Sequence, residues 1–306
     1  AECRPVRRSS LARIGSKKQL SGFPLGDARF MNSSAHGMRG DFFISEPSSE
    51  ATDVPLPARM RPRDLSEFVG QEHLLGNGKI LRRAIEADRL CSVILYGPPG
   101  CGKTALGFLI AFRTQAHVER VNAVAAGVED LRRAIESARF RKRNGGRRTI
   151  LFIDEIHRFN KAQQDVLMPE VEDGTVILIG ATTHNPSFSL VSPLLSRSLV
   201  AEFKPLSKED LKTLLKRAIA DKERGLGEMN LKVTEEALEF LATVSDGDAR
   251  RALNGLELAA LTTSPGKDGV VQISREVAEE AVQKKAVVYD RDGDAHYDTI
   301  SAYIKA

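Results

Sequence analysis

The stretch Gly97-Pro98-Pro99-Gly100-Cys101-Gly102-Lys103-Thr104 decides how the rest of this 306-residue chain reads. It follows an apolar run, Val93-Ile94-Leu95, and precedes Leu106, Leu109 and Ile110 at helical spacing. A Gly-x-x-x-x-Gly-Lys-Thr pattern between a strand and a helix is a phosphate-binding loop: its glycines let the backbone turn N–H groups inward, and the helix start adds a positive dipole end. In that geometry Gly97, Pro98, Pro99, Gly100, Cys101 and Gly102 wrap the phosphates, Lys103 contacts the β and γ phosphates, and Thr104 offers its hydroxyl to magnesium. ATP and Mg2+ are therefore expected. At Cys101 the backbone geometry matters more than the side chain.

Outward from the loop, short apolar runs at 92–96, 117–121, 149–153, 175–179 and 199–203 alternate with helix-spaced segments such as Leu131, Ile135 and Ala138, or Val166, Leu167 and Val171. Such alternation marks βα units, and it predicts an α/β fold around a five-stranded parallel sheet. After Pro205 the strands stop and three or four amphipathic helices are expected. Ser207 with Asp210 forms a capping box ahead of Leu211, Leu214, Leu215 and Ala218, and Thr234 and Asp248 are N-cap candidates for the next two helices. This second part reads as a small helical lid on the sheet.

The resulting division is 1–50 as a disordered basic leader, 51–204 as the nucleotide-binding α/β domain, 205–285 as the helical lid, and 286–306 beyond it. Residues 1–40 carry eight basic against two acidic residues, with many Ser and Gly and no periodicity. An organelle transit peptide, translated sequence upstream of Met31 or Met38, and a DNA-touching arm all remain open for this leader. Apolar residues make up 42% and charged residues 28%, ordinary for a globular protein with a real core. No apolar run reaches the roughly 18 residues that span a bilayer, so no membrane partner is expected. Cys3, Cys91 and Cys101 are too few and too scattered for a disulfide framework or a zinc site, which fits a reducing compartment. The net charge of +4 says little by itself about nucleic acid.

The run Ile150-Leu151-Phe152-Ile153 ends in Asp154-Glu155. Two carboxylates at the tip of an apolar strand belong beside the phosphate loop, Asp154 to hold magnesium and Glu155 to polarise the attacking water. His157 reads as structural or interfacial, because magnesium prefers oxygen ligands. The fourth strand leads into Gly180-Ala181-Thr182-Thr183, where a hydroxyl can orient water or the γ phosphate; Thr183 is favoured over Thr182. Arg197 shortly precedes the last strand and suits a cation delivered to a neighbouring subunit's transition state, which requires a homo-oligomer. Arg250 and Arg251 open a lid helix where the dipole disfavours cations, so a nucleotide phosphate between the domains is expected to face Arg250. The run Arg139-Phe140-Arg141-Lys142-Arg143-Asn144-Gly145-Gly146-Arg147-Arg148 carries six cations and is either a DNA contact or a solvated loop.

In this order the motifs resemble the clamp-loader branch of the AAA+ ATPases. Pro55-Leu56-Pro57-Ala58-Arg59-Met60-Arg61-Pro62, Val69-Gly70-Gln71-Glu72-His73-Leu74 and Asp154-Glu155-Ile156-His157-Arg158-Phe159-Asn160-Lys161 narrow the resemblance to the RarA/MgsA family of replication-associated recombination proteins, whose eukaryotic counterpart is the Werner-helicase-interacting protein. Gly180-Ala181-Thr182-Thr183-His184-Asn185-Pro186-Ser187-Phe188 and Asp246-Gly247-Asp248-Ala249-Arg250-Arg251-Ala252-Leu253-Asn254 carry the same likeness. The resemblance implies that Arg61, Val69 and Gly70 pack around the adenine. It also implies a DNA-dependent ATPase that assembles at stalled replication forks, with single-stranded or forked DNA and proteins such as single-strand-binding protein as partners. By the same resemblance residues 286–306 would begin an oligomerisation region, and the setting would be cytoplasmic and nucleoid-associated, with organelle targeting by the leader left open. A nucleotide-switched scaffold and a Holliday-junction branch-migration motor are the alternatives.

Overall fold

A computed structural model describes residues 54–146 and 148–289, with side chains to Val282. The expected leader at 1–50 and the expected oligomerisation region past Tyr289 lie outside the described residues.

Strands β1 (Val93–Tyr96), β2 (His117–Asn122), β3 (Thr149–Asp154), β4 (Val176–Thr182) and β5 (Leu199–Glu202) form one parallel sheet in the order β2-β3-β4-β1-β5. The central strands are apolar at successive positions because both faces are covered, as a parallel sheet requires. Val93, Leu95, Ile150 and Phe152 face helix α1 (Lys103–Arg113) through Leu106, Leu109 and Ile110. Ile94, Leu151, Ile153 and Leu178 face the opposite layer, where α2 (Val128–Gly145) contributes Leu131 and Ile135 and α3 (Lys161–Glu172) contributes Leu167. Each fully buried Leu or Ile in these layers stabilises the fold by about 1.5–3 kcal/mol relative to exposure.

Register fixes the functional edge. Tyr96 lies beside Thr182 and Asn122 beside Asp154, so the carboxyl ends of β1, β3 and β4 finish at the same rim. In open α/β sheets that rim is where ligands bind.

The lid contains α4 (Lys208–Ala220), α5 (Glu235–Val244), α6 (Ala249–Thr262) and α7 (Arg275–Tyr289), packed around Leu211, Leu215, Leu238, Leu241, Leu253 and Leu256. Ser207, Thr234 and Asp248 cap α4, α5 and α6 through their side chains, as their positions predicted. Two features differ from the sequence reading. Strands do not stop at Pro205: β6 (Leu231–Val233) and β7 (Val271–Ile273) pair in parallel. Three residues of apolar-polar-apolar alternation are too short to signal a strand until the distant partner is known. The lid also extends upstream, since Leu56 and Met60 sit in its core rather than against the sheet. The Leu56 backbone N–H donates to both Glu257 carboxylate oxygens at 2.9 Å, and Arg59 pairs with Glu257 at 3.1 Å. The segment 55–62 is thus a strap tied to α6.

Candidate nucleotide-hydrolysis site

A cavity of about 540 Å³ lies between the sheet rim and the lid. Pro99 to Thr104, Asp154, Glu155 and Thr183 form its floor, while Arg61, Leu206, Leu214, Arg250, Leu253 and Asn254 close it from the other side.

The phosphate loop takes its shape from close contacts as well as from glycine. Gly97 approaches Phe203 so nearly that a Cβ would lie 2.2 Å from the Phe203 carbonyl oxygen. Gly100 has φ +68°, and a Cβ there would lie 1.8 Å from Asp248 Oδ1 of the lid. The Ala249 N–H at the start of α6 donates to the Gly100 carbonyl at 3.1 Å, so lid and loop touch directly. Lys103 is buried and its ammonium donates to the carbonyls of Gly97 at 2.8 Å and Pro98 at 2.6 Å. Cys101 is buried too, and its thiol donates to the Pro98 carbonyl at 2.9 Å. Burial pushes the Cys101 pKa up, against the pull of the Lys103 charge, so it remains a thiol.

Thr104 Oγ1 stands 3.4 Å from both Asp154 carboxylate oxygens. A hydroxyl and a carboxylate facing each other at the loop mouth are hard oxygen donors, and this pair fits Mg2+, which takes few protein ligands and completes its shell with water and phosphate. Glu155 follows at φ +55°, a left-handed turn at the end of β3, and lines the cavity. Thr183 lines the cavity, whereas Thr182 is fully buried and turned to His157, with its Oγ1 3.0 Å from His157 Nδ1.

Three guanidinium groups gather over this floor. Arg61 lies 4.4 Å above the Phe108 ring, and Arg120 of β2 lies 5.3 Å from the same ring and 3.7 Å from Asp154. Burial first, then the charges of Arg120 and Arg250, lower the Arg61 pKa, with Asp154 acting in the opposite sense. Arg61 lines the cavity, as does Val69. Gly70 turns the chain at φ +70° close against Leu206. Arg120 was missed by sequence reasoning; an arginine in a strand with one exposed face looks like any solvated cation.

Arg197 lies away from this floor, on the chain's surface, where it pairs with Glu172 at 2.9 Å and donates to the Pro193 carbonyl at 2.9 Å. The basic run is tied down internally: Arg139 pairs with buried Glu170, Arg141 with Glu119, Lys142 with the Asp173 carbonyl and Arg148 with Asp88. Carboxylates thus pair with three of the run's six cations, and the Asp173 carbonyl accepts from Lys142 without cancelling its charge. No helix among the described residues is long and apolar enough to cross a membrane.

The rim with its loop and carboxylates, roofed by a helical lid, defines a P-loop ATPase of the AAA+ class. A family model for the Holliday junction DNA helicase RuvB P-loop domain matches residues 60–200, and one for an AAA C-terminal domain matches residues 227–306. The solved Thermotoga maritima RuvB Holliday junction branch migration motor superposes with a TM-score of 0.60 at 26% identity, covering 81% of this chain and 86% of that one. Within the class, the chain belongs to the family of replication-associated recombination protein A. It is 50% identical over 258 residues to that protein from Escherichia coli K12, covering 84% of this chain and 58% of the relative. The Bacillus subtilis protein is 43% identical over 252 residues, covering 82% and 59%. ATPase WRNIP1 of Dictyostelium discoideum is 42% identical over 268 residues, covering 83% and 30%. The chain thus spans somewhat over half the length of the bacterial relatives it matches.

Proposed function

We propose that this chain binds Mg-ATP between sheet and lid, hydrolyses it, and uses the cycle on DNA at replication forks during recombination and repair. One observation carries the reading: Lys103, Thr104, Asp154, Glu155 and Thr183 meet on a single rim with Arg250 facing them from the lid. Thr104 and Asp154 would hold magnesium, which would supply neutralisation of phosphate charge. Lys103 exchanges its loop carbonyls for phosphate oxygens, and Glu155 takes the proton of the attacking water. Thr183 orients that water or the γ phosphate, and Arg250 makes lid position depend on the phosphate. The exposed place of Arg197, outside its own chain's cavity, supports its use at a neighbouring subunit's site. Arg197→Ala should leave ATP binding intact and suppress turnover of the assembled form; a monomer at full activity would contradict this.

The test is ATP turnover of the full-length protein at low salt, with and without single-stranded, forked or four-way-junction DNA. Stimulation by single-stranded or forked DNA supports the proposal, and no stimulation would sink its DNA part, leaving a nucleotide-switched scaffold. The likeness to RuvB favours one second reading, a branch-migration motor, and stimulation confined to junctions would select it. Glu155→Gln should bind ATP yet lose about 10²–10⁴-fold in turnover, the range for a positioned base.

A further inference from the structure

Thr183 is exposed at the cavity, and among the described residues no hydrogen bond holds its side chain, so the backbone around it sets where its hydroxyl stands. That backbone is fixed from both sides. Thr182, the last residue of β4, is fully buried, and its carbonyl accepts the N–H of Gly97 in the phosphate loop at 3.2 Å. Its Oγ1 accepts the His184 N–H at 3.0 Å, which closes a turn over Thr183. The same oxygen is hydrogen-bonded at 3.0 Å to Nδ1 of His157, on the short turn Ile156–Arg158 that follows Glu155. The His184 ring stacks on the His157 ring, with centroids 4.0 Å apart and planes 17° apart. His157 thus touches both neighbours of Thr183, one through a hydrogen bond and the other face to face. Its side chain is only 10% exposed. Burial, then the neighbouring His184, lowers its pKa; Glu155 opposes that shift and Arg158 adds to it, so the ring is neutral. Glu155 Oε2 also stands 3.1 Å from Nδ1, but only the Thr182 contact has the geometry of a hydrogen bond.

A hydroxyl that orients water or a phosphate works from one position, and about 1 Å of misplacement can cost 10²-fold in rate. We propose that His157 is a positioning residue for Thr183: its ring, bonded to Thr182 and stacked on His184, holds the turn 182–184 so that the Thr183 hydroxyl is presented to the cavity. The inference rests on the reading of Thr183 as the group that orients the attacking water or the γ phosphate, and it names what holds that group. The β3–β4 ladder ends with Ile153 beside Gly180, and the His157–Thr182 bond continues the tie between the two strand ends past it. His157 acts through the turn and makes no contact with the nucleotide.

The test is a double-mutant cycle in the full chain, read by steady-state ATP turnover and by binding of a non-hydrolysable ATP analogue with magnesium. His157→Ala should lower kcat about threefold to tenfold, the scale of one net hydrogen bond, with analogue affinity unchanged. Thr183→Ala should lower kcat by about 10²-fold or more, as loss of one positioned donor does. Adding His157→Ala to Thr183→Ala should cost less than about twofold further, because a residue that acts through Thr183 has nothing left to position. His157→Asn, whose amide reaches the place of Nδ1, should fall between His157→Ala and wild type. Equal fold losses from His157→Ala in the two backgrounds would overturn the proposal and move the effect elsewhere, to Glu155 for instance. So would an unchanged kcat in His157→Ala, or an Asn variant no faster than the Ala variant. If His157→Ala does not fold, His157→Phe, which keeps a ring to stack and loses the bond, decides by the same comparison. Wild-type turnover in Thr183→Ala would remove the role of Thr183 and the proposal with it, whereas a slow Thr183→Ala beside a normal His157→Ala removes only the role of His157.

Discussion

The floor of the nucleotide cavity is carried on adjacent strand ends, whereas its roof is assembled from three stretches, 55–62, 206–214 and 249–254, that lie far apart in the chain. Neighbouring strands in a ladder stand about 4.8 Å apart with little freedom, so the floor is preorganised by the same hydrogen bonds that make the sheet. The roof has no such ladder. It is held by Glu257 of α6, which ties down the strap, by Arg224 between Glu67 and Asp221, and by one backbone bond from Ala249 to Gly100. Under the proposed function, chemistry that needs fixed geometry falls on the floor, and residues that respond to the nucleotide fall on the roof.

If that division holds, floor substitutions act on chemistry and roof substitutions act on geometry. The largest effect is expected for Lys103→Ala, which should weaken Mg-ATP binding by at least about 100-fold while the melting temperature stays near wild type, since removing a charge-assisted phosphate contact leaves the sheet intact. Calorimetric titration checks it, and normal affinity would break the assignment of the floor. Gly100→Ala comes next. A Cβ forced to φ +68° against Asp248 must push the lid away, at a cost of about 1–3 kcal/mol and with weaker nucleotide binding. Adding Asp248→Ala should recover part of that binding if lid contact, rather than loop strain, is the cause.

Glu257→Ala should destabilise by about 1–3 kcal/mol in denaturant melts, because it strands the Leu56 N–H and removes the carboxylate paired with Arg59. A change within a few tenths would mean that the strap is held by Leu56 and Met60 packing alone. The smallest effect concerns acid. Burial raises the Glu67 pKa, but the hydrogen bonds from the Arg224 side chain and the Arg63 N–H, with the charges of Arg224 and Arg217, outweigh it and leave it lowered. At Asp221 burial is likewise outweighed, by the Arg224 N–H and charge. Depressed carboxylates contribute stability that is present above the ordinary carboxylate range and is lost as pH falls through their lowered folded values. Stability measured from neutral pH downward should therefore drop below that range, and Arg224→Ala should flatten the drop.

The floor was legible in the sequence because each part is local: the loop is eight consecutive residues, Asp154 and Glu155 end an apolar run, and Thr183 ends another. Helix caps at Ser207, Thr234 and Asp248 were legible for the same reason. The roof was not, because its contacts join distant segments. Nothing near Leu56 signals that it packs in a core completed by Leu253, and Arg120 gains meaning only when the register brings Asn122 beside Asp154. The basic run at 139–148 was visible as a run of cations, whereas Glu170, Glu119 and Asp88, which pair with three of them, are scattered in sequence.

The ion pair between Arg197 and Glu172 sets up a competition between two states of one side chain. In an isolated chain Glu172 keeps the guanidinium at home; in an assembly where Arg197 reaches a neighbour's phosphates, that hold must be released. Exposed pairs of this kind are worth about 0–1 kcal/mol, so releasing it would lower the association constant by no more than about fivefold. Added salt, which screens the home pair, would offset part of even that modest penalty.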